Sequence, residues 1–279
     1  MTIQRTTDWF GGLAGEVSGR ADGRPPLLLL HGLTFDRTIW RPILDELHAI
    51  DPERHVLAID LPGHGDSPDA STYRLDGIEV QLDAVLAAAG MVSPLIVGHS
   101  AGAIAATVFA SRRPSAGVVN VDQGLDVETF AGNVRQLAPQ LRGPAFTQIW
   151  EHFNASMHAE LLPEPAATLV RSTSRPRREV VLGYWAEILD DLSAVVELRD
   201  AALLALRAGA VPYAIVAGSE PGPEYRAWLA ARLPQATLTV WPGSGHFPHL
   251  ARPDAFARLL ASTGSGQAAE TDVEVRSRA

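Results

Sequence analysis

Two amino acids are absent from this chain of 279 residues, which contains neither cysteine nor lysine. The lack of cysteine excludes disulfide bonds, thiolate nucleophiles, and the iron–sulfur and zinc sites that need thiolate ligands. The lack of lysine excludes Schiff-base chemistry, an anchored pyridoxal phosphate and the phosphate-binding lysine of a Walker motif. All 23 basic residues are therefore arginines, and much catalytic chemistry is excluded before any motif is considered.

Charge and hydropathy argue against two further classes of protein. The chain has 32 acidic residues and a net charge of −9, whereas a nucleic-acid-binding protein needs a basic face that neutralises phosphates. Its apolar stretches are short or interrupted, as Ala201–Ala217 is by Arg207 and Pro212, so no membrane span is expected. Residues 1–12 lack the apolar core of a secretory signal. We therefore expect a soluble, cytoplasmic protein with no nucleic-acid or membrane partner.

Short apolar runs alternate with segments of helical periodicity along most of the chain. This alternation predicts a mostly parallel β-sheet that is flanked by helices on both faces. Two N-terminal segments, Thr6–Phe10 and Leu13–Ser18, are expected to form an antiparallel hairpin at its edge. The other predicted strands are Leu27–Leu30, Arg54–Asp60, Pro94–His99, Gly117–Asp122, Pro212–Ala217 and Thr237–Trp241. The predicted helices are Thr38–Ala49, Leu75–Ala89, Ala101–Arg112, Glu224–Leu233 and Pro253–Leu260.

One interval breaks this alternation, because the residues from Leu125 to about Ala208 show helical segments and no strand. Between Phe146 and Met157, apolar residues recur at spacings of three and four and form one stripe. The interval therefore predicts a helical cap, inserted after the sixth strand. The resulting division of the chain is a core of residues 1–124 and 209–262, a cap of residues 125–208, and a low-complexity tail of residues 263–279 that we expect to be disordered.

The sequence G-H-S-A-G at residues 98–102 lies between a predicted strand and a predicted helix. A serine at such a turn adopts a strained backbone conformation, and glycines two residues away on each side remove side chains that would collide there. The serine hydroxyl is then exposed above the sheet. The motif predicts that Ser100 is a nucleophile, and a structural turn with an inert serine is the alternative.

Four motifs in this order resemble those of the α/β-hydrolase superfamily, over roughly residues 13–260. They are H-G at residues 31–32 for the oxyanion loop, D-L-P-G-H-G-D-S at 60–67 for the turn after the next strand, G-H-S-A-G at 98–102 for the nucleophile elbow, and G-S-G-H-F-P-H at 243–249 for the loop of the catalytic histidine. The resemblance implies an α/β-hydrolase fold with a helical cap over the sheet.

The resemblance implies that His246 is the catalytic base, with His249 in the same loop as the alternative. Such a base needs a carboxylate that fixes its tautomer. Many family members carry this acid in a G-x-x-D pattern after the penultimate strand, where this chain has Pro221. Some relatives, including haloalkane dehalogenases, carry it at the end of the preceding strand, which here is Asp122. We predict Asp122 as the acid, with Glu220 as its alternative. Asp126, Glu224 or no acid at all are the remaining possibilities.

The resemblance also implies an oxyanion hole that is formed by the backbone N–H groups of Leu33 and Ala101. An apolar substrate pocket is expected under the cap. Because an apolar stripe more often packs its helix onto the domain, we expect only one or two cap residues to touch the substrate. Trp40 matches a family tryptophan, for which core packing is the alternative. The candidate substrate-binding residues are Trp40, Phe130, Phe146, Trp150, Phe153, Met157, Tyr184 and Trp185.

These residues predict a serine hydrolase that cleaves a carboxylic ester or lactone of a small hydrophobic molecule through an acyl-enzyme, without a metal or organic cofactor. A serine at the elbow argues against haloalkane dehalogenase or epoxide hydrolase chemistry, for which the family uses aspartate. The same triad can cleave carbon–carbon or amide bonds or transfer an acyl group. A non-catalytic small-molecule receptor on this scaffold is an alternative of another class. The sequence does not specify an oligomeric state.

Overall fold

The computed structural model describes residues 5–263, and in this part of the chain eight strands form one sheet. The strands are β1 (Thr6–Phe10), β2 (Leu13–Ser18), β3 (Leu27–Leu30), β4 (Val56–Ile59), β5 (Leu95–His99), β6 (Gly117–Val121), β7 (Tyr213–Ala217) and β8 (Thr237–Val240). Their order across the sheet is β1-β2-β4-β3-β5-β6-β7-β8. The β1–β2 hairpin and the β2–β4 pair are antiparallel, and every other neighbouring pair is parallel.

Helices cover the sheet and fill the long connection between β6 and β7. The helices are α1 (Arg41–Ile50), α2 (Leu75–Ala89), α3 (Ala101–Arg112), α4 (Val127–Gln136), α5 (Ala138–Arg142), α6 (Phe146–Ser156), α7 (Glu164–Thr173), α8 (Arg178–Tyr184), α9 (Ala186–Asp190), α10 (Leu192–Ala208), α11 (Pro223–Arg232), α12 (Pro248–Ala251) and α13 (Pro253–Ser262). Short 3-10 helices occur at Arg37–Trp40 and Ala159–Leu161. Within the described residues, no helix combines the length and the hydropathy that a membrane crossing needs.

The central strands are buried on both faces, as the run of four leucines in β3 predicts. Successive side chains of a strand point to opposite faces. Leu28 and Leu30 belong to one core cluster, together with residues of α2, α3 and α10, whereas Leu27 and Leu29 belong to another, together with residues of α1 and α13. All four leucines have no exposed surface. The predicted α/β-hydrolase architecture, a mostly parallel sheet between two helical layers, is confirmed.

The interval between β6 and β7 holds α4 to α10 and no strand. Its last helix, α10, packs against the core, because Leu203 and Leu206 lie in the same cluster as Phe109 of α3. The division into a core and a cap of residues 125–208 stays a prediction, and by its packing α10 belongs with the core layer. All of the predicted tail except Thr263 lies outside the described residues.

Candidate active site

Ser100 lies at a sharp turn between β5 and α3, with a φ of 52° and a ψ of −122°. This left-handed region is unfavourable for a residue that carries a Cβ atom, so the backbone is strained here. The turn is possible because glycines flank it. A Cβ atom on Gly98 would lie 2.3 Å from the carbonyl oxygen of Gly102, and one on Gly102 would lie 2.4 Å from that of Leu30. The structure therefore has the elbow geometry that G-H-S-A-G predicts.

His246 and Asp122 are 124 residues apart in the chain and form a hydrogen bond. The Nδ1 atom of His246 lies 2.8 Å from Oδ2 of Asp122. Because an ionised carboxylate can only accept, Nδ1 carries the proton, and in a neutral imidazole Nε2 is then left as an acceptor. The second carboxylate oxygen, Oδ1, accepts the backbone N–H of Gly218 at 2.7 Å. Both oxygens of Asp122 are thus engaged, which fixes the orientation of the carboxylate toward the imidazole.

The loop that carries His246 is held from two sides. The backbone N–H of His246 donates to the carbonyl oxygen of Met157, at the end of α6, over 2.9 Å. Its own carbonyl oxygen accepts a 2.8 Å hydrogen bond from Nε2 of His99, the residue before Ser100. His99 is fully buried, and this burial lowers its pKa well below the usual histidine range, so its ring is neutral. The position of the imidazole therefore depends on both the elbow and the end of α6.

Two backbone N–H groups are available as an oxyanion hole. Leu33 and Ala101 both line the cavity that Ser100 faces. In residues 5–263 neither N–H donates to a protein acceptor, because Ala101 is the first residue of α3 and Leu33 lies in the loop after β3. Unpaired N–H groups that face a cavity can stabilise a developing negative charge. Both residues thus line the same cavity as Ser100, and their role as oxyanion donors stays a prediction.

Neutral histidines brace the loop that contains Leu33. Nε2 of His64 accepts the N–H of Thr34 at 3.0 Å, and Nε2 of His31 accepts the N–H of Leu61 at 2.9 Å. Burial lowers the pKa of His31 to about 4 and that of His64 to about 3, so both rings are uncharged near neutral pH. Their other nitrogens contact backbone carbonyl oxygens. The histidines of the first two motifs therefore hold the oxyanion loop against the turn at residues 60–67.

The other candidate acids lie apart from the imidazole. Glu220 accepts a 2.7 Å hydrogen bond from Nε of Arg226 and does not line the cavity. Glu224 lies in the first turn of α11 and is also outside the cavity lining. Asp126 does line the cavity but forms no hydrogen bond with His246. Of these carboxylates, only that of Asp122 is bonded to the histidine.

The alternative base, His249, is fully buried away from the cavity. Its ring centroid lies 4.9 Å from that of Trp40 and 6.0 Å from that of Phe256. Burial lowers the pKa of His249 to about 3. Trp40 has no exposed surface and does not line the cavity, so it packs in the core, which is the alternative expected for it.

A cavity of about 750 Å³ lies between the sheet edge and the helices of the interval. Ser100, His246 and Asp122 line its floor. Aromatic rings form much of its wall, as the centroid of Trp185 lies 5.3 Å from that of Phe153 and 5.7 Å from that of Trp150. A volume of this size is typical of a small-molecule site. Six of the eight predicted substrate-binding residues line it, namely Phe130, Trp150, Phe153, Met157, Tyr184 and Trp185.

Of the substrate-binding residues predicted for the cap, Phe146 does not line the cavity. It is buried and stacks on Trp150, with ring centroids 6.3 Å apart. The stripe on α6 therefore divides, because Phe146 packs between helices while Trp150 and Phe153 face the void.

Residues 27–259 match the alpha/beta hydrolase family. The chain belongs to this family. The match includes the elbow, the oxyanion loop and the histidine loop described above.

Relatives within the alpha/beta hydrolase family have different named activities. A 2-succinyl-6-hydroxy-2,4-cyclohexadiene-1-carboxylate synthase of Serratia proteamaculans is 30% identical over 252 residues, which cover 87% of this chain and 93% of that protein. A pimeloyl-[acyl-carrier protein] methyl ester esterase of Neisseria meningitidis is 29% identical over 272 residues, which cover 88% and 78%. The solved structure of an AqdC variant with its substrate, the Pseudomonas quinolone signal, aligns with a TM-score of 0.76 and 19% identity over 95% of this chain and all of that one. The last similarity shows the shared fold alone.

The cavity lining also contains polar residues of α4 that were not among the predicted substrate-binding residues. Asp126, Thr129, Phe130 and Asn133 all line the cavity from one side of α4. Their spacing of three, four and seven residues is that of one helical face. A helical spacing of three residues from the predicted residues Asp126 and Phe130 therefore indicates Thr129 and Asn133. Glu187, which also lines the cavity, carries no comparable signal in the sequence.

Proposed function

We propose that this chain is a serine hydrolase that cleaves a carboxylic ester or lactone of a small, largely apolar molecule. The observation that carries the proposal is the hydrogen-bonded pair of His246 and Asp122, in the same cavity into which the strained turn presents Ser100. A relative named as a methyl ester esterase supports ester bonds as the target. The aromatic wall supports a substrate with an apolar body.

In the first half-reaction, Oγ of Ser100 attacks the carbonyl carbon of the ester, while Nε2 of His246 accepts the hydroxyl proton. The carbonyl oxygen becomes an oxyanion, which the N–H groups of Leu33 and Ala101 stabilise. The bond between the carbonyl carbon and the alkoxy oxygen then breaks, and the leaving alcohol takes the proton from Nε2. The acyl group stays on the serine as an ester.

In the second half-reaction, water attacks the acyl-enzyme carbonyl carbon and gives a proton to Nε2 of His246. The second tetrahedral intermediate collapses, the bond to Oγ breaks, and Ser100 recovers its proton from the imidazole. The products are a carboxylic acid and, from the first step, an alcohol. Asp122 keeps Nδ1 protonated throughout and stabilises the imidazolium that forms twice in each cycle.

Labelling with a small fluorophosphonate tests the nucleophile without knowledge of the substrate. The serine oxygen displaces fluoride from phosphorus, and intact-mass spectrometry counts the adducts. We expect one adduct on the wild-type protein and none on Ser100→Ala. The matched control is Ser156→Ala, because Ser156 also lines the cavity but donates its hydroxyl to a helix carbonyl group. Labelling of Ser100→Ala, or none of the wild type, would contradict the proposal.

The labelling rate also distinguishes the two candidate acids. In Asp122→Asn the side-chain amide donates toward Nδ1 and favours the tautomer with its proton on Nε2, so labelling should slow by about 10³-fold or more. Glu220→Gln removes a surface partner of Arg226 and should label within about twofold of the wild type. Equal slowing in both variants would remove the basis for assigning Asp122 as the acid.

A further inference from the structure

The charged side chains of the cavity are almost all acidic. Among the described residues that line it none is an arginine, and the chain has no lysine, so only His158 and His246 can carry positive charge there. The carboxylates are those of Asp122, Asp126 and Glu187. A cavity that accepts carboxylates or phosphates needs cationic donors. Such donors are missing from this lining.

Two of the three carboxylates are compensated by neighbours. Asp122 bonds to His246. Glu187 lies 3.2 Å from a guanidinium nitrogen of Arg74 and accepts the N–H of Leu75 at 3.3 Å. These two acids therefore add little net charge that a bound molecule would experience.

Among residues 5–263, Asp126 has no comparable side-chain partner. The Arg199 guanidinium acts on its charge without forming an ion pair with it, and instead bonds to Glu128 at 2.6 Å and to Asp200 at 2.9 Å. The Asp126 side chain lies over Gly124, where an added Cβ atom would be 3.2 Å from Oδ1. It begins α4 without capping the helix with its side chain. Among the described residues no ion pair engages the Asp126 carboxylate, so it contributes negative charge at the cavity wall.

The same helix face presents an apolar surface beside this charge. Phe130 follows Asp126 by four residues, one helical turn away, and both line the cavity. The Phe130 ring contacts those of Trp185 and Phe153, with centroids 5.7 and 6.4 Å apart. A molecule whose apolar body packs on these rings is held near the Asp126 carboxylate. Aromatic rings beside a carboxylate also favour cations.

We propose that the cavity selects substrates by charge, and that Asp126 is the residue that imposes the selection. Esters or lactones with a neutral or cationic apolar body are accepted, and those that carry a carboxylate are rejected. This inference rests on the proposed function, since it names the substrate class of the same site. Asp126 acts on the substrate directly, through repulsion of a like charge in a partly desolvated cavity.

Two matched ester series test the selection. In the first, 4-nitrophenyl esters have acyl chains of equal length that end in a tert-butyl, a carboxylate or a trimethylammonium group. In the second, acetate esters have alcohols with the same three ends. For the wild type, we expect in at least one series that kcat/KM of the carboxylate ester is about tenfold below that of the tert-butyl ester. In the same series, kcat/KM of the trimethylammonium ester should at least equal that of the tert-butyl ester.

Asp126→Asn should reduce this discrimination to within about threefold, because the amide keeps the shape of the side chain and removes its charge. The matched control is Glu151→Gln, which removes the same charge from an exposed position on α6 outside the cavity. The control should keep the full discrimination. In the wild type, the ratio of kcat/KM between the neutral and carboxylate esters should decrease when salt is raised from 0.02 to 0.5 M, because salt screens charge repulsion. A merely structural effect of Asp126 would not depend on salt. Assays run at pH 8, because burial raises the pKa of Asp126.

A binding measurement separates this inference from the proposed function. Ser100→Ala is titrated with non-hydrolysable methyl ketones that bear the same three end groups, and the fluorescence of Trp150 and Trp185 in the cavity wall reports binding. If no ester is cleaved but the ketones bind in the expected charge order, the hydrolase proposal fails and the charge selection stands. The charge selection is overturned if carboxylate and neutral compounds are used or bound equally, or if Asp126→Asn leaves their ratio unchanged.

Discussion

Replacing His249 by phenylalanine should make the protein more resistant to acid. The imidazole is fully buried, and its ring packs among those of Trp40, Phe247 and Phe256. Neither ring nitrogen has a hydrogen-bond partner in the described part of the chain. A phenyl ring has a similar shape and suits these aromatic neighbours, so the substitution removes no hydrogen bond.

The size of the effect follows from the pKa of the buried ring. Burial lowers the pKa of His249 to about 3, whereas a histidine of the unfolded chain has a pKa of about 6.5. Between these values the unfolded chain binds a proton at this position and the native protein does not. The depressed pKa therefore leaves the free energy of unfolding unaffected above pH 6.5 and lowers it progressively as the pH falls toward 3. At pH 5 the loss is about 2 kcal/mol for one histidine.

Three other buried histidines contribute in the same direction. Burial lowers the pKa of His31 to about 4, that of His64 to about 3 and that of His99 well below the usual value. The rings of His31, His64 and His249 together remove about 6 kcal/mol from the free energy of unfolding at pH 5. This is comparable to the whole stability of a typical domain, about 5–15 kcal/mol. The wild type should therefore be markedly less stable at pH 5 than at pH 8.

Urea unfolding at pH 8 and pH 5 measures the prediction. Between these pH values, His249→Phe should lose about 2 kcal/mol less of its free energy of unfolding than the wild type loses. The control is His152→Phe, because His152 is exposed on α6 and its replacement should leave the pH dependence unchanged. An equal loss in His249→Phe and the wild type would mean that the buried ring is protonated in the native protein, and the reasoning would be refuted.

Three further substitutions test the packing around the site. In Gly218→Ala the new Cβ atom would lie 1.8 Å from the carbonyl oxygen of Gly245 and displace the histidine loop. Fluorophosphonate labelling should then slow about 10²-fold, and an unchanged labelling rate would refute this role of Gly218. Ser67→Ala leaves the N–H of Ala14 without its buried acceptor and should cost about 1–3 kcal/mol in urea unfolding, where a loss below 0.5 kcal/mol would contradict the role. Tyr213→Phe removes a buried hydroxyl whose partners keep other hydrogen bonds, so the same assay should give a loss of only about 1 kcal/mol, and a loss above 3 kcal/mol would argue otherwise.

The fold was predictable because its signals are local. Four leucines in Leu27–Leu30 can be buried on alternate faces only in a strand that is covered on both sides, and the structure has this strand with the same bounds. The elbow was predictable for a similar reason. Its glycines are required by close approaches to backbone atoms a few residues away or on the neighbouring strand. Local sterics of this kind leave a pattern in the sequence.

The pocket was less predictable because a helical stripe identifies an apolar face but not what lies opposite it. On α6 the rings of Phe146 and Trp150 belong to one stripe, yet only Trp150 reaches the cavity. Trp40 matched a motif and packs in the core. Asp126 was considered only as a catalytic acid, because its place beside Phe130 depends on where α4 begins.

The position of Asp122 illustrates how the register of the sheet assembles the candidate site. Ser100 and Asp122 follow the neighbouring strands β5 and β6, and both adopt a positive φ, 52° and 51°. Because parallel strands end at the same edge, the two side chains meet at one site although 22 positions separate them. Gly218 follows the next strand, β7, and its N–H binds the Asp122 carboxylate. The loop after β7 therefore orients the carboxylate of Asp122, which follows the neighbouring strand. This explains physically how the loop contributes to a His–Asp pair, although it has Pro221 where many family members have the acid.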